Sequence, residues 1–222
     1  MKNIIIQKNE LGNIKASLDY ISKFNLDKKS KILDIGANYG SLIFNLYNEG
    51  YKNVFGVDIN RESIKLGKQK YKKIKFNLME YNGKKLPFKD NSSNVILMFD
   101  VIEHITNIQE FLEKEVYRVL KKGGIFIFQT PNKYINVPWE IIHSRSLRYR
   151  EYHCSLQTYW SLKKLLNTSG FKSVKIEKHD IYTEHNIKKV NKYMGVFGIF
   201  ILKLMLKNPI FLYPNFYGWC KK

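Results

Sequence analysis

An apolar run that ends in an acid and then in two spaced glycines leaves a chain few ways to fold. Lys31-Ile32-Leu33-Asp34-Ile35-Gly36-Ala37-Asn38-Tyr39-Gly40 is such a run, and a helix-like segment begins at Ser41. The pattern reads as a buried parallel strand, a tight turn whose backbone must approach something closely, and a helix N-terminus. Eighteen positions beyond Gly40 a second apolar run, Asn53-Val54-Phe55-Gly56-Val57-Asp58, ends in another carboxylate. Strand, glycine turn, helix and acid-ended strand form the layout that holds an adenosine ribose in doubly wound sheets. Asn38 stands where a dinucleotide-binding turn would carry its middle glycine, so a dinucleotide is not the natural ligand.

The rest of the chain continues the alternation. Leu11, Ile14, Leu18, Ile21 and Phe24 predict an amphipathic helix over 10–24, packed beside the sheet or capping the cleft. Strands are expected at 31–36, 53–58, 74–80, 94–99, 125–129 and 173–178, with helices at 40–49, 62–72, 107–121 and 155–169. The run 94–99 is continuously apolar, as a strand covered on both faces requires. Residues 133–154 interrupt the alternation with aromatics, Arg145, Arg148, Arg150, His143 and His153 in weak periodicity. A stretch this long without regular structure is usually functional, and it is assigned to the acceptor side. Tyr217 to Cys220 suggests a short final strand. The expected fold is α/β, a doubly wound, Rossmann-like, mostly parallel seven-stranded sheet with helices on both faces. The expected division is an N-terminal helical segment at 1–29, a core at 30–180 containing the acceptor loop 133–154, and a hydrophobic extension at 181–222.

Several function classes fall away on composition. Hydrophobic residues make up 44% of 222 residues and aromatics 14%, which excludes general disorder. Cys154 and Cys220 are the two cysteines and form no CxxC, so neither a disulfide framework nor a cysteine zinc site is supported. Met1 to Lys8 holds too short an apolar run for a signal peptide, and a cytoplasmic location is expected. The balance of 38 Lys+Arg against 19 Asp+Glu, +19 in all, carries two readings: a surface for polyanions, or drift in a chain rich in Lys, Asn, Ile and Tyr together. Helix 62–72, with Lys65, Lys68, Lys70 and Lys72, is the place where a nucleic-acid surface would lie. The apolar run 195–207 is short for a membrane span and carries Lys203 near its middle. It reads either as a helix packed on the domain or as an interfacial helix that gives peripheral membrane contact through 195–213.

The blocks Leu86-Pro87-Phe88, Asp100-Val101-Ile102-Glu103-His104, Leu120-Lys121-Lys122-Gly123-Gly124 and Thr130-Pro131-Asn132 follow the glycine turn in order. Together with that turn and Asp58 they resemble the class I S-adenosylmethionine (SAM)-dependent methyltransferases, with the ubiquinone-biosynthesis-like O-methyltransferases nearest. The likeness covers roughly 30–178; Asn38 and the C-terminal extension depart from it. It implies SAM as cofactor and transfer of a methyl group to oxygen on a small-molecule, lipid-linked or sugar-linked acceptor. An RNA 2′-O-methyltransferase and a non-catalytic SAM-binding or membrane-associated module are the alternatives. Asp34, Gly36, Ala37 and Gly40 are the candidates for the methionine end. Asp58 and Ile59 would take the ribose, Glu80 or Asn82 the adenine amino group, and Phe99 would line the pocket. His104 just past the fourth strand is the candidate catalytic base, because imidazole accepts a hydroxyl proton near neutral pH. No metal site is assigned; the set that could hold a divalent ion is Glu103, His104 and His153, with Asp100 in reserve.

Overall fold

A computed structural model describes residues 13–75, 77–144, 151, 153–181 and 184–222. Leu11, Phe76, Arg145, Arg148 and Arg150, which entered the expectations above, lie outside them. Strands β1 (Ile32–Ile35), β2 (Val54–Asp58), β3 (Leu78–Glu80), β4 (Ser93–Phe99), β5 (Leu120–Pro131), β6 (Lys172–Glu177) and β7 (Asn215–Lys221) form one sheet in the order β3-β2-β1-β4-β5-β7-β6. The first five strands run parallel, and β7 lies antiparallel to both β5 and β6.

Helices cover both faces because alternate strand residues point opposite ways. Leu33, Ile35, Ile96, Met98, Phe126 and Phe128 pack with Phe111, Leu112, Leu162 and Leu166. On the other face Ile32, Val54, Val95, Leu97 and Ile127 pack with Leu18, Tyr20, Leu46 and Ile64. The helices are α1 (Ile14–Ser22), α2 (Ser41–Asn48), α3 (Arg61–Lys70), α4 (Ile108–Phe111), α5 (Tyr117–Val119), α6 (Lys133–Ser144), α7 (Tyr159–Thr168) and α8 (Glu184–Met205). A π-turn, Leu112–Val116, joins α4 to α5.

The structure corrects four expectations. The third strand is confined to Leu78–Glu80 because Lys72–Ile74 forms a 3₁₀ turn. The fifth begins at Leu120; its register against β4 jumps from Ser93↔Leu120 to Val95↔Ile125, and Gly123 in left-handed backbone absorbs the extra residues. The first part of 133–154 is helical. Asn132 starts α6, its side-chain oxygen accepting from Tyr134 N (3.1 Å) and its carbonyl from Asn136 N (2.8 Å). The apolar C-terminal run is the second half of a longer helix, α8, which breaks at Gly195 (φ 59°, ψ −149°).

Strand order reverses between β1 and β4, the place where an open α/β sheet leaves a crevice beyond its carboxyl ends. A cleft of about 1370 Å³ lies there, walled by the segments after β1, β2, β3 and β4 and roofed by α1, α6 and α8. α1 therefore does both things expected of it: Leu18, Tyr20 and Ile21 are buried on the sheet while Asn13, Ile14 and Ser17 line the cleft.

Candidate active site

The floor of the cleft is backbone. Gly36 has φ 79°, and its N–H and that of Ala37 both donate to Val57 O (2.8 and 3.0 Å), lashing the turn to β2. A Cβ on Gly36 would stand 2.2 Å from Val101 Cγ2, so the turn and the segment after β4 meet only because that atom is missing. Asn38 is also left-handed (φ 49°), a conformation asparagine tolerates better than other side-chain-bearing residues. The departure from glycine thus preserves the turn. Gly40 (φ 87°) lies at the N-cap of α2, where a Cβ would strike Leu78 Cδ2 at 2.7 Å. Its place is structural, and it does not line the cleft.

Asp58 binds the turn and faces the cleft at once. Its Oδ2 accepts from Asn38 N (2.7 Å) and its Oδ1 from Asn60 N (2.8 Å), so the carboxylate is fixed before any ligand arrives. Asp34, Ala37, Ile59 and Phe99 line the same wall. Asp34 is buried, whereas Ile59 is a largely exposed aliphatic side chain. Asn82 lines the cleft and Glu80 does not. Glu80 is the exposed end of β3 and reaches Arg61 instead (3.8 Å). Tyr81 N donates to Asp58 O (3.1 Å), and the chain turns toward the cleft only there. Asn82 Oδ1 then accepts from Lys84 N and Lys85 N (3.0 Å each), closing the loop.

At the far end stand Glu103, His104 and His153. The Glu103 carboxyl is buried and takes the Thr130 hydroxyl on Oε2 (2.9 Å). Burial, and after it the Asp100 carboxylate, push its pKa up to about 8. His104 is about half exposed, its Nε2 4.0 Å from Glu103 Oε1 and its ring centroid 4.9 Å from that of His153. Burial and the neighbouring His104 hold the His153 imidazole below its usual range. Among the described residues no three His, Cys, Asp or Glu side chains converge as a metal ion requires. The three candidates are neighbours, but Glu103 engages the Thr130 hydroxyl through Oε2 while its Oε1 stands 4.0 Å from His104 Nε2.

Sequence reasoning missed much of the cleft lining. Asn136 and Glu140 on α6, Ile181 and Asn186 in the C-terminal extension, and Tyr217 on β7 all line the cleft. Their separations in sequence carry no local signal; only Asn136 lies close enough to Thr130-Pro131-Asn132 to have been suspected. The α3 lysines are exposed and none lines the cleft.

Asn38 Oδ1, Asn136 Oδ1 and His153 Nδ1 are buried with no hydrogen-bond partner among the described residues, and all three residues line the cleft. Buried polar atoms seldom go unpaired, so these point to polar ligand groups at both ends. The residues fit SAM. Asp58 offers acceptors to ribose hydroxyls, Ile59 and Phe99 offer apolar surface to an adenine, and the Gly36–Asn38 turn with Asp34 can take an amino-acid end.

Comparison with known proteins agrees with that fit. Residues 33–128 match the family model described as a methyltransferase domain. Over this segment the chain is similar to SAM-dependent methyltransferases. It is 29% identical over 141 residues to a probable S-adenosylmethionine-dependent methyltransferase of Mycolicibacterium smegmatis, covering 61% of this chain and 49% of that protein. It is 34% identical over 107 residues to the ubiquinone biosynthesis O-methyltransferase of Pelagibacter ubique, covering 48% and 44%. A SAM-dependent methyltransferase structure from Archaeoglobus fulgidus superposes with a TM-score of 0.64 at 19% identity over 95% of each chain. The chain spans about half the length of the curated relatives it matches.

Proposed function

We propose that the protein transfers the methyl group of SAM to an oxygen of a small-molecule, lipid-linked or sugar-linked acceptor. One observation carries the reading: a single continuous cleft runs from the Gly36–Asn38 turn and Asp58 to the half-exposed imidazole of His104. SAM supplies an already activated sulfonium methyl, so the protein's share is alignment, exclusion of water and proton removal. Asp58 and the turn position the cofactor end. His104 takes the acceptor hydroxyl proton, the task for which imidazole is matched near neutral pH. Glu103, whose raised pKa keeps it largely protonated at neutral pH, leaves the acceptor end without a second full negative charge beside Asp100. The name of the Pelagibacter relative supports oxygen as the acceptor atom.

Calorimetric titration with S-adenosylhomocysteine tests the cofactor half; absence of binding by the folded protein would overturn the reading. For the acceptor half, His104→Ala should bind S-adenosylhomocysteine as the parent does and lose turnover on phenolic and alcoholic acceptors. If the variant turns over at the parental rate, His104 is not the base.

A further inference from the structure

The half of α8 beyond the Gly195 break has two unlike faces. Leu202 is buried against Ile181 and Tyr213, with Met205 beside them. On the other side Val196 is 82% exposed, Phe197 66%, Phe200 56% and Leu204 49%. These four recur at helical spacing and form a stripe, an unusual amount of apolar surface to leave in water. Lys203 and Lys207, both exposed, fall among them at the same spacing. From Lys188 onward the sequence has seven lysines and no acidic residue. Among the described residues no helix is long and apolar enough to cross a membrane.

We infer that this face lies in the interfacial layer of an anionic lipid bilayer. Phe197, Phe200, Val196 and Leu204 would enter the acyl boundary while Lys203 and Lys207 meet the lipid phosphates. Charge selects this occupant. A second copy of the chain would bring another lysine-studded face and another +19 to the contact, whereas an anionic headgroup layer attracts both. The geometry gives docking a use, because the helix that carries the stripe also supplies Asn186 to the cleft wall. Near the break, Tyr193 stacks edge-on against Trp139 of α6, with ring centroids 5.7 Å apart. An enzyme seated on this face holds one wall of its cleft close to the bilayer, where a lipid-borne acceptor would be met.

The test is flotation of the full chain with phosphatidylserine-containing vesicles and with pure phosphatidylcholine vesicles. Binding is expected to the first, weak or absent binding to the second, and release as NaCl rises from about 0.1 M to about 1 M and the screening length falls from roughly 10 Å to roughly 3 Å. Phe197→Ser with Phe200→Ser should lower the partition coefficient at least about tenfold. Lys203→Gln with Lys207→Gln should lower it on the order of fivefold per lysine. Both variants should keep the parental melting temperature and the parental response to S-adenosylhomocysteine, because these side chains face away from core and cleft. That control separates failure of docking from failure of the methyltransferase reading. No binding to phosphatidylserine vesicles, or binding that neither variant weakens, would overturn the proposal. So would a dimer in sedimentation that Phe197→Ser with Phe200→Ser dissolves while vesicles go unbound, since a second copy would then cover the face.

Discussion

The two ends of the cleft are built from different materials. At the glycine turn the surface is main chain, and the side chain that matters most, Asp58, is held by two backbone N–H groups. At the His104 end the surface is side chain, drawn from the 3₁₀ turn Ile102–His104, from helices and from the extension, in residues as far apart as Glu103, Asn136, His153 and Asn186. The first end can bind only one shape, because changing it means moving the backbone of β1 or β2. The second can change residue by residue while the sheet stays as it is. The SAM-binding end and acceptor end proposed above call for such a division, since function is grafted onto a fold through its adjustable parts.

If that division holds, substitutions at the backbone end should be costly and those at the side-chain end mild. Gly36→Ala is the largest expected effect. The new Cβ must displace Val101 and hold a left-handed φ, together about 2–5 kcal/mol. Loss should appear both in thermal unfolding and in S-adenosylhomocysteine binding; a variant as stable as its parent would break the comparison. Glu103→Gln comes next and runs in the opposite direction. A carboxyl whose pKa rises on folding is protonated more readily in the native state, so stability is full below about 4.5 and falls as pH rises through about 8. Glutamine keeps an acceptor for Thr130 and removes the titration. The variant should therefore gain on the order of a few kcal/mol over the parent above pH ~8 and little below pH ~4.5, read from denaturation at several pH values. Asp58→Asn should cost about 1.5–3 kcal/mol of S-adenosylhomocysteine affinity by calorimetry, the worth of hydrogen bonds to a charged group. Asn136→Ala should be smallest, within about 0.5 kcal/mol in stability, since its Oδ1 has no partner to lose. Its effect should show in acceptor KM and leave cofactor affinity alone.

How much of this was readable from the chain follows the same line. The turn, Asp58 and the strands around them are encoded within 34–59 by apolar alternation, glycine spacing and an acid at a strand end, all local signals. Glu80 was the harder case. The strand ends at Glu80 as expected, but the chain turns into the cleft only at Tyr81 and Asn82, and the direction of that turn leaves no mark in the hydrophobic pattern. The span of α6 shows only weak periodicity and carries Pro138 within it, and its start is set by the side chain of Asn132 and not by propensity. The roof contributed by Ile181 and Asn186 depends on how α8 returns over the sheet, and tertiary placement of that kind has no local code.

Asn132 carries one more consequence. Its amide donates to Phe211 O (2.9 Å) and Tyr213 O (2.7 Å) while its oxygen starts α6. One buried side chain thus stitches the end of β5, the first turn of α6 and the stretch that leads into β7. Separating any of the three segments leaves an amide or a carbonyl unpaired in the interior, so they should open together or not at all. In hydrogen exchange the first turn of α6 and the main chain around 211–213 should share one opening rate, a single cooperative unit that spans some eighty residues of sequence. Breathing of α6 is then tied to the fate of β7, and the cleft can loosen there only as far as the sheet's last antiparallel pairing allows.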